Sequence, residues 1–254
     1  MRIKLLAVAA TAALATLLTP GVASANHSWG GYHWARTANP FTLKLGDNVN
    51  TSWDSYLTSA SSDWSKSTVL DTTVVSGSVN PRTCKATAGM VQVCNAAYGQ
   101  TGWLGIASIS VTGGTHITQG TVKLNDTYFA QAQYNTPAER ALVTCQEVGH
   151  TFGLDHQDEN FTNPNLGTCM DYTNDPSTNQ HPNKHDYDQL VSIYSHLDTS
   201  TTVGQAAPAQ GRPQVGNDMS TWGTRVEGSK TAGHSTYVRD FGGGNTVITF
   251  VTWA

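Results

Sequence analysis

Charge is scarce in this 254-residue chain, where Asp, Glu, Lys and Arg together make up 13% of the residues, about half the share of an ordinary soluble domain. That scarcity excludes a chain kept disordered by its own charge, and Ser, Thr, Asn and Gly fill the polar positions instead. A basic excess is missing as well: 14 Lys and Arg stand against 18 Asp and Glu, a net charge of −4. Nucleic acid is therefore not an expected partner. Beyond residue 25 no apolar run approaches the roughly 20 residues of a membrane helix, and Val247 to Val251 is far too short, so no membrane partner is expected either.

What is present begins with a secretory address. Arg2 and Lys4 precede the apolar run Leu5 to Leu18, and Ala23-Ser24-Ala25 is a small-residue cleavage site. Residues 1–25 read as a signal peptide, which makes the remaining chain secreted and extracellular and long enough to bury one sizeable core. The four cysteines are then expected to form two disulfides rather than reactive thiols, because the compartment is oxidising.

The periodicities predict an α+β fold. Phe41, Leu43 and Leu45 alternate as in a strand, and Trp53, Tyr56, Leu57, Ala60 and Trp64 recur as on one helix face. Thr68 to Val75, Gly102 to Val111 and His116 to Leu124 read as further strands, which together suggest a mixed, twisted sheet. Cys84 and Cys94 bracket a segment containing Gly89, read as a locally closed excursion. Thr136-Pro137-Ala138-Glu139 carries a cap, a first-turn proline and a glutamate at the third helical position, predicting a helix from Pro137 to about Phe152. On it Leu142, Cys145, Gly149 and Phe152 form the face expected to pack on the sheet, while Gln146 and His150 share another. A last helix is predicted after Pro182, where Tyr187, Leu190, Val191, Tyr194 and Leu197 recur. The aperiodic stretch 198–221 reads as a linker following a main domain over 26–197. Residues 222–254 read as a small β segment, with a hairpin formed by Ser235 to Val238 and Thr246 to Trp253.

The chemistry is concentrated in Cys145-Gln146-Glu147-Val148-Gly149-His150-Thr151-Phe152-Gly153-Leu154-Asp155-His156. A helix projects positions i and i+4 from one face, so Gln146 and His150 can address one ion with Glu147 beside them. Gly153 then allows a turn that can bring His156 to the same ion, leaving a position open. This segment resembles the metzincin zinc peptidases, whose pattern is H-E-x-x-H-x-x-G-x-x-H followed by a Met-turn. Glu147, His150, Gly153 and His156 are in register, the flavour of His150 to His156 is matrixin-like, and Thr168-Cys169-Met170-Asp171-Tyr172 looks like the Met-turn.

The resemblance implies a zincin-like domain, a Zn2+ ion held by Gln146, His150 and His156, Glu147 as the base that activates water, and Tyr172 as an oxyanion stabiliser. It also implies that Cys145 pairs with Cys169, leaving Cys84 to Cys94, and that the substrate is a protein or peptide hydrolysed by a monomer. Gln146 stands where the family has its first histidine, and an amide oxygen is a poorer zinc donor than imidazole. Three readings stay open: Gln146 ligates through its oxygen, or Asp155, His181 or His185 supplies the third ligand, or the chain is a catalytically inactive binding protein on the same scaffold. His181 and His185 are also accounted for as residues of a solvated helix N-terminus. The aromatics Trp222, Tyr237, Phe241 and Trp253 suit a core or a small binding module.

Overall fold

The computed structural model describes residues 27–206 and 212–254; the signal peptide read at 1–25 lies outside them. In chain order the elements are β1 (His33–Trp34), β2 (Phe41–Asn48), α1 (Asp54–Trp64), β3 (Leu70–Ser76), β4 (Val91–Ala96), β5 (Trp103–Thr112), β6 (His116–Asn125), α2 (Asp126–Phe129), α3 (Pro137–His150), α4 (Lys184–Ile193), β7 (Thr224–Ser229), β8 (His234–Asp240) and β9 (Thr246–Trp253). No helix among the described residues is long and apolar enough to cross a membrane. The fold is α+β with a mixed sheet.

That sheet runs β3-β2-β4-β6-β5-β9-β8-β7, with β1 added beside the start of β6. Strands β2, β3, β4 and β6 are mutually parallel, whereas β5 is antiparallel to β6 and begins a run of antiparallel pairings through β9 and β8 to β7. Strand β2 keeps its alternation, burying Phe41, Leu43 and Leu45 and exposing Thr42 and Lys44. Strand β5 shows no such alternation, because residues 103–111 are all buried. On one face it meets α3. On the other the segment after residue 212 crosses β5 and β6: the Pro213 carbonyl accepts from Ser110 Oγ (2.8 Å) and Gln119 Nε2 (3.0 Å). Farther along the same face, Lys123 Nζ donates to Asn217 Oδ1 (2.7 Å).

Four expectations change. The segment bracketed by Cys84 and Cys94 is not a self-contained excursion, since Cys94 lies in β4, an interior strand between β2 and β6, and the Cys84–Cys94 bridge ties the preceding loop to it. The Val91-Gln92-Val93 stretch is too short for its period to separate a strand from a loop. The face of α3 carrying Cys145, Gly149 and Phe152 packs on α1 and the turn at Met170 rather than on the sheet. Trp64 Nε1 donates to the Cys145 carbonyl (3.1 Å), the Trp64 and Phe152 rings lie 5.6 Å apart, and a methyl added at Gly149 would sit 2.6 Å from Trp64 and 2.8 Å from Met170 Sδ. The stretch read as a linker is docked: over 198–206 the Asp198, Thr202 and Gly204 amides donate to the Arg36, Ala35 and Gly89 carbonyls at 2.8–2.9 Å, and over 212–221 Pro213 and Asn217 make the contacts given above. Finally, the hairpin β8–β9 does not stand apart, because β9 pairs with β5 along its length and carries the sheet onward.

Candidate functional site

Helix α3 is started as its sequence predicts, with Thr136 Oγ1 accepting from the Glu139 amide (3.1 Å) and Pro137 in the first turn. It stops before Gly153, whose φ is +92° and where a Cβ would lie 2.0 Å from the Tyr32 carbonyl oxygen. Left-handed backbone and close approach together demand glycine there. The chain then reverses. Residue 157 bonds the Met170 carbonyl (2.6 Å) and Tyr172 bonds the Asp158 carbonyl (3.1 Å), so the segment after the helix runs beside the turn 168–172. The Cys145–Cys169 disulfide links that turn to α3.

These contacts bring Gln146, Glu147, His150, His156 and Tyr172 together. The His150 and His156 rings lie 4.5 Å apart and nearly perpendicular, and Tyr172 Oη is hydrogen-bonded to His156 Nε2 (2.6 Å). His150 Nδ1 donates to the Leu154 carbonyl (2.9 Å), which fixes the tautomer and leaves Nε2 as the lone-pair nitrogen. Glu147 is fully buried against β5, where Gly105 leaves the hollow it occupies: a methyl at Gly105 would meet Glu147 Oε1 at 2.6 Å. Opposite Gly105 on β9 stands Thr252, which donates its hydroxyl to Glu147 Oε1 (2.7 Å) and lies 3.4 Å from Gln146 Oε1.

Electrostatics follow from this burial. Burial pushes the Glu147 carboxyl up to about 8, only partly offset by the Thr252 hydroxyl, and depresses His150 to about 3. Burial would lower His156 also, but Asp155 Oδ1 and Glu159 Oε1, 3.4 and 3.6 Å from its Nδ1, outweigh that and raise it to about 9. Hydrogen bonds to His156 and then His234 hold Glu159 well below the ordinary carboxylate range. The two carboxylates therefore favour an imidazolium at His156, against which a cation must compete.

The other candidate ligands separate. Asp155 lies beside His156, and Asp155, His156 and Glu159 bring one ligand-type atom each within 4.8 Å of one another. His181 is largely exposed and bonds Asp63 Oδ2 (2.6 Å) instead. His185 stacks on His27 at 4.9 Å. A cleft of about 480 Å3 is faced by Gln146, Tyr172 and Thr252, with Trp253 and Lys230 on its rim; Glu147, His150 and His156 do not line it.

Four residues of this neighbourhood escaped the sequence reading. Phe250 lies flat on His150, its ring centroid 4.4 Å away and 2° from parallel. His234 stacks on Tyr172 at 4.5 Å and places Nε2 3.2 Å from Glu159 Oε1. Thr252 completes the set contributed by the C-terminal strands, and Glu159 comes from the loop after His156. The alternation of β9 does put Phe250 and Thr252 on one face, but nothing local says which face meets α3.

The donor set fits a zinc ion in its chemistry. Glu147 Oε2 is a buried acceptor with no hydrogen-bond partner, as expected beside a polar or ionic guest. His150 is oriented from behind by a carbonyl, as metal-binding imidazoles are.

No family model matches the sequence, and no curated protein matches it. Among solved structures, high choriolytic enzyme 1 (HCE-1), a hatching-enzyme zinc protease from Oryzias latipes (medaka fish), aligns with 64% of this chain and 94% of its own, at a TM-score of 0.34 and 9% identity.

Proposed function

We propose that this chain is a metzincin-like, secreted zinc-dependent endopeptidase. The observation that carries the reading is the convergence of Glu147 and His150 from α3 with His156 from beyond the Gly153 turn, over a Met170–Tyr172 turn bridged to the same helix. Gln146, His150 and His156 would hold the ion, which would supply Lewis acidity for the scissile carbonyl and for water. Glu147 would be the proton carrier, taking a proton from water and returning it to the leaving amine. Tyr172, a residue of the cleft wall, places its hydroxyl against His156, and a phenol there could stabilise a developing oxyanion. Two disulfides suit an oxidising compartment.

One observation favours a second reading, a binding protein without turnover: Thr252 already occupies Glu147 Oε1, and the carboxylate does not face the cleft. Elemental analysis and peptide cleavage separate the two. The natural chain should carry zinc that Glu147→Ala retains while losing cleavage, and Gln146→His should tighten zinc. A chain that binds zinc yet cleaves only as the Gln146→His variant is a scaffold. An unchanged affinity in Gln146→His removes residue 146 from the ligand set.

A further inference from the structure

Three histidines distant in sequence meet at one aspartate, apart from the residues discussed above. In β1, His33 is paired in register with His116 at the start of β6. His196 and Asp198 follow α4. His33 Nε2 lies 3.2 Å from His196 Nε2 and 3.5 Å from Asp198 Oδ1. The Nε2 atoms of His116 and His196 lie 3.2 and 3.8 Å from that same oxygen. His33, His196 and Asp198 have one ligand atom each within 4.8 Å of one another.

The surroundings orient these atoms as a coordination site requires. His33 Nδ1 is 2.9 Å from the Gly31 carbonyl, which can only accept, so this nitrogen carries the hydrogen and Nε2 presents its lone pair to the cluster. Asp198 Oδ2 is taken by the Arg36 amide (3.1 Å) and Nη1 (2.9 Å), which leaves Oδ1 to face the imidazoles. His196 can donate to His33, and His116 to Asp198. Even so, the His33 lone pair and the carboxylate then oppose each other at 3.5 Å, two acceptors that a shared cation would reconcile. His33 is buried, with 6% of its side chain exposed, whereas 34% of His116 and 51% of His196 are open to solvent, giving an ion a way in.

We propose that His33, His196 and Asp198 form a second metal site, for zinc, with His116 held against the same carboxylate, and that its role is structural. His33, His196 and Asp198 lie close enough together to share one ion, and His116 Nε2, 3.2 Å from Asp198 Oδ1, meets the same carboxylate oxygen. The site ties together β1, the start of β6 and the segment after α4, adding to the buried Arg36–Asp198 ion pair and to the hydrogen bonds that Thr202 makes with Ala35 and Ile117. It is independent of the proposed peptidase centre.

The test uses the purified chain loaded with zinc, freed of excess metal and assayed by elemental analysis, in four forms: natural, His156→Asn, His116→Asn/His196→Asn, and the triple variant. His116 and His196 are exposed rings, so their replacement leaves the core intact. The pair His116→Asn/His196→Asn should hold one zinc equivalent fewer than the natural chain, and His156→Asn should keep an equivalent that the triple variant loses. Chelator should lower the melting temperature of the natural chain but not that of His116→Asn/His196→Asn by the same step. Equal zinc in the natural chain and His116→Asn/His196→Asn overturns the proposal, and that comparison stands even if His156→Asn does not fold. A natural chain whose zinc is lost entirely in His116→Asn/His196→Asn supports this site while refuting zinc at His150 and His156.

Discussion

Replacing Gly105 by alanine adds one methyl group at the point where β5 passes under Glu147. The added carbon would lie 2.6 Å from Glu147 Oε1, 2.7 Å from Val143 Cγ1 and 2.8 Å from Glu147 Cγ. All three are closer than carbon approaches other heavy atoms, so the helix or the side chain must move, at a cost of about 1–3 kcal/mol for overpacking. In a domain of this size that is a fall in melting temperature of roughly 2–12 °C. Because two of the three contacts belong to Glu147, the cost should shrink when that side chain is removed. A double-mutant cycle of Gly105→Ala with Glu147→Ala, read by urea denaturation, is expected to show a coupling of about 1 kcal/mol, above the roughly 0.3–0.5 kcal/mol of independent sites. If the chain is a peptidase, displacing Glu147 by about 1 Å should also cost roughly 100-fold in rate, with zinc content unchanged. Additive effects in the cycle would refute the claim that Gly105 is the floor of the Glu147 site.

Lys123 offers a test in pH. It is 1% exposed, its ammonium meets Asn217 Oδ1, and burial lowers its pKa from 10.5 to about 8. Between those values the unfolded chain binds the proton more tightly, so stability should rise with pH across that window and be flat just below it. The penalty present at pH 7 is at most about 3 kcal/mol. Lys123→Met should therefore be more stable at pH 7 and lose the alkaline rise; a variant less stable at pH 7 in urea melts would contradict this. Thr136→Ala removes the oxygen that accepts from the Glu139 amide and should cost about 1 kcal/mol, with Thr136→Ser retaining most of it. Equal stability of the alanine and threonine forms in the same melts would show that the cap is not contributing.

Elements whose signals are local were legible. The Thr136 cap, the first-turn Pro137 and the glycine at 153 bound α3 within two residues of its predicted end, and β2, β5 and β6 lie where alternation or β-branched residues placed them. The direction of α3 was harder to read. Its Cys145-Gly149-Phe152 stripe is apolar and small enough for either a sheet or Trp64, and the stripe aimed at the sheet contains Glu147, which a hydrophobic pattern ranks as surface. Strand β4 was missed because a six-residue strand interrupted by a polar Gln92 carries almost no period. The tie between β9 and α3, and the meeting of His33, His116 and His196, depend on pairings across most of the chain, which no local pattern encodes.

The placement of β9 has a consequence for when the site comes into being. Thr252 follows Glu147 by 105 positions, so at elongation rates of about 5–20 residues per second α3 exists for roughly 5–20 s before its partner is made. Without β9 the edge of β5 that it covers has no partner strand, and Glu147 lacks the Thr252 hydroxyl. The arrival of β9 dries the carboxylate, adds the Thr252 hydroxyl and sets Phe250 against His150 in one event. The carboxyl infrared absorption of Glu147, compared between the full chain and one ending before β9, is expected to differ because only the full chain buries the group and gives it the Thr252 hydroxyl.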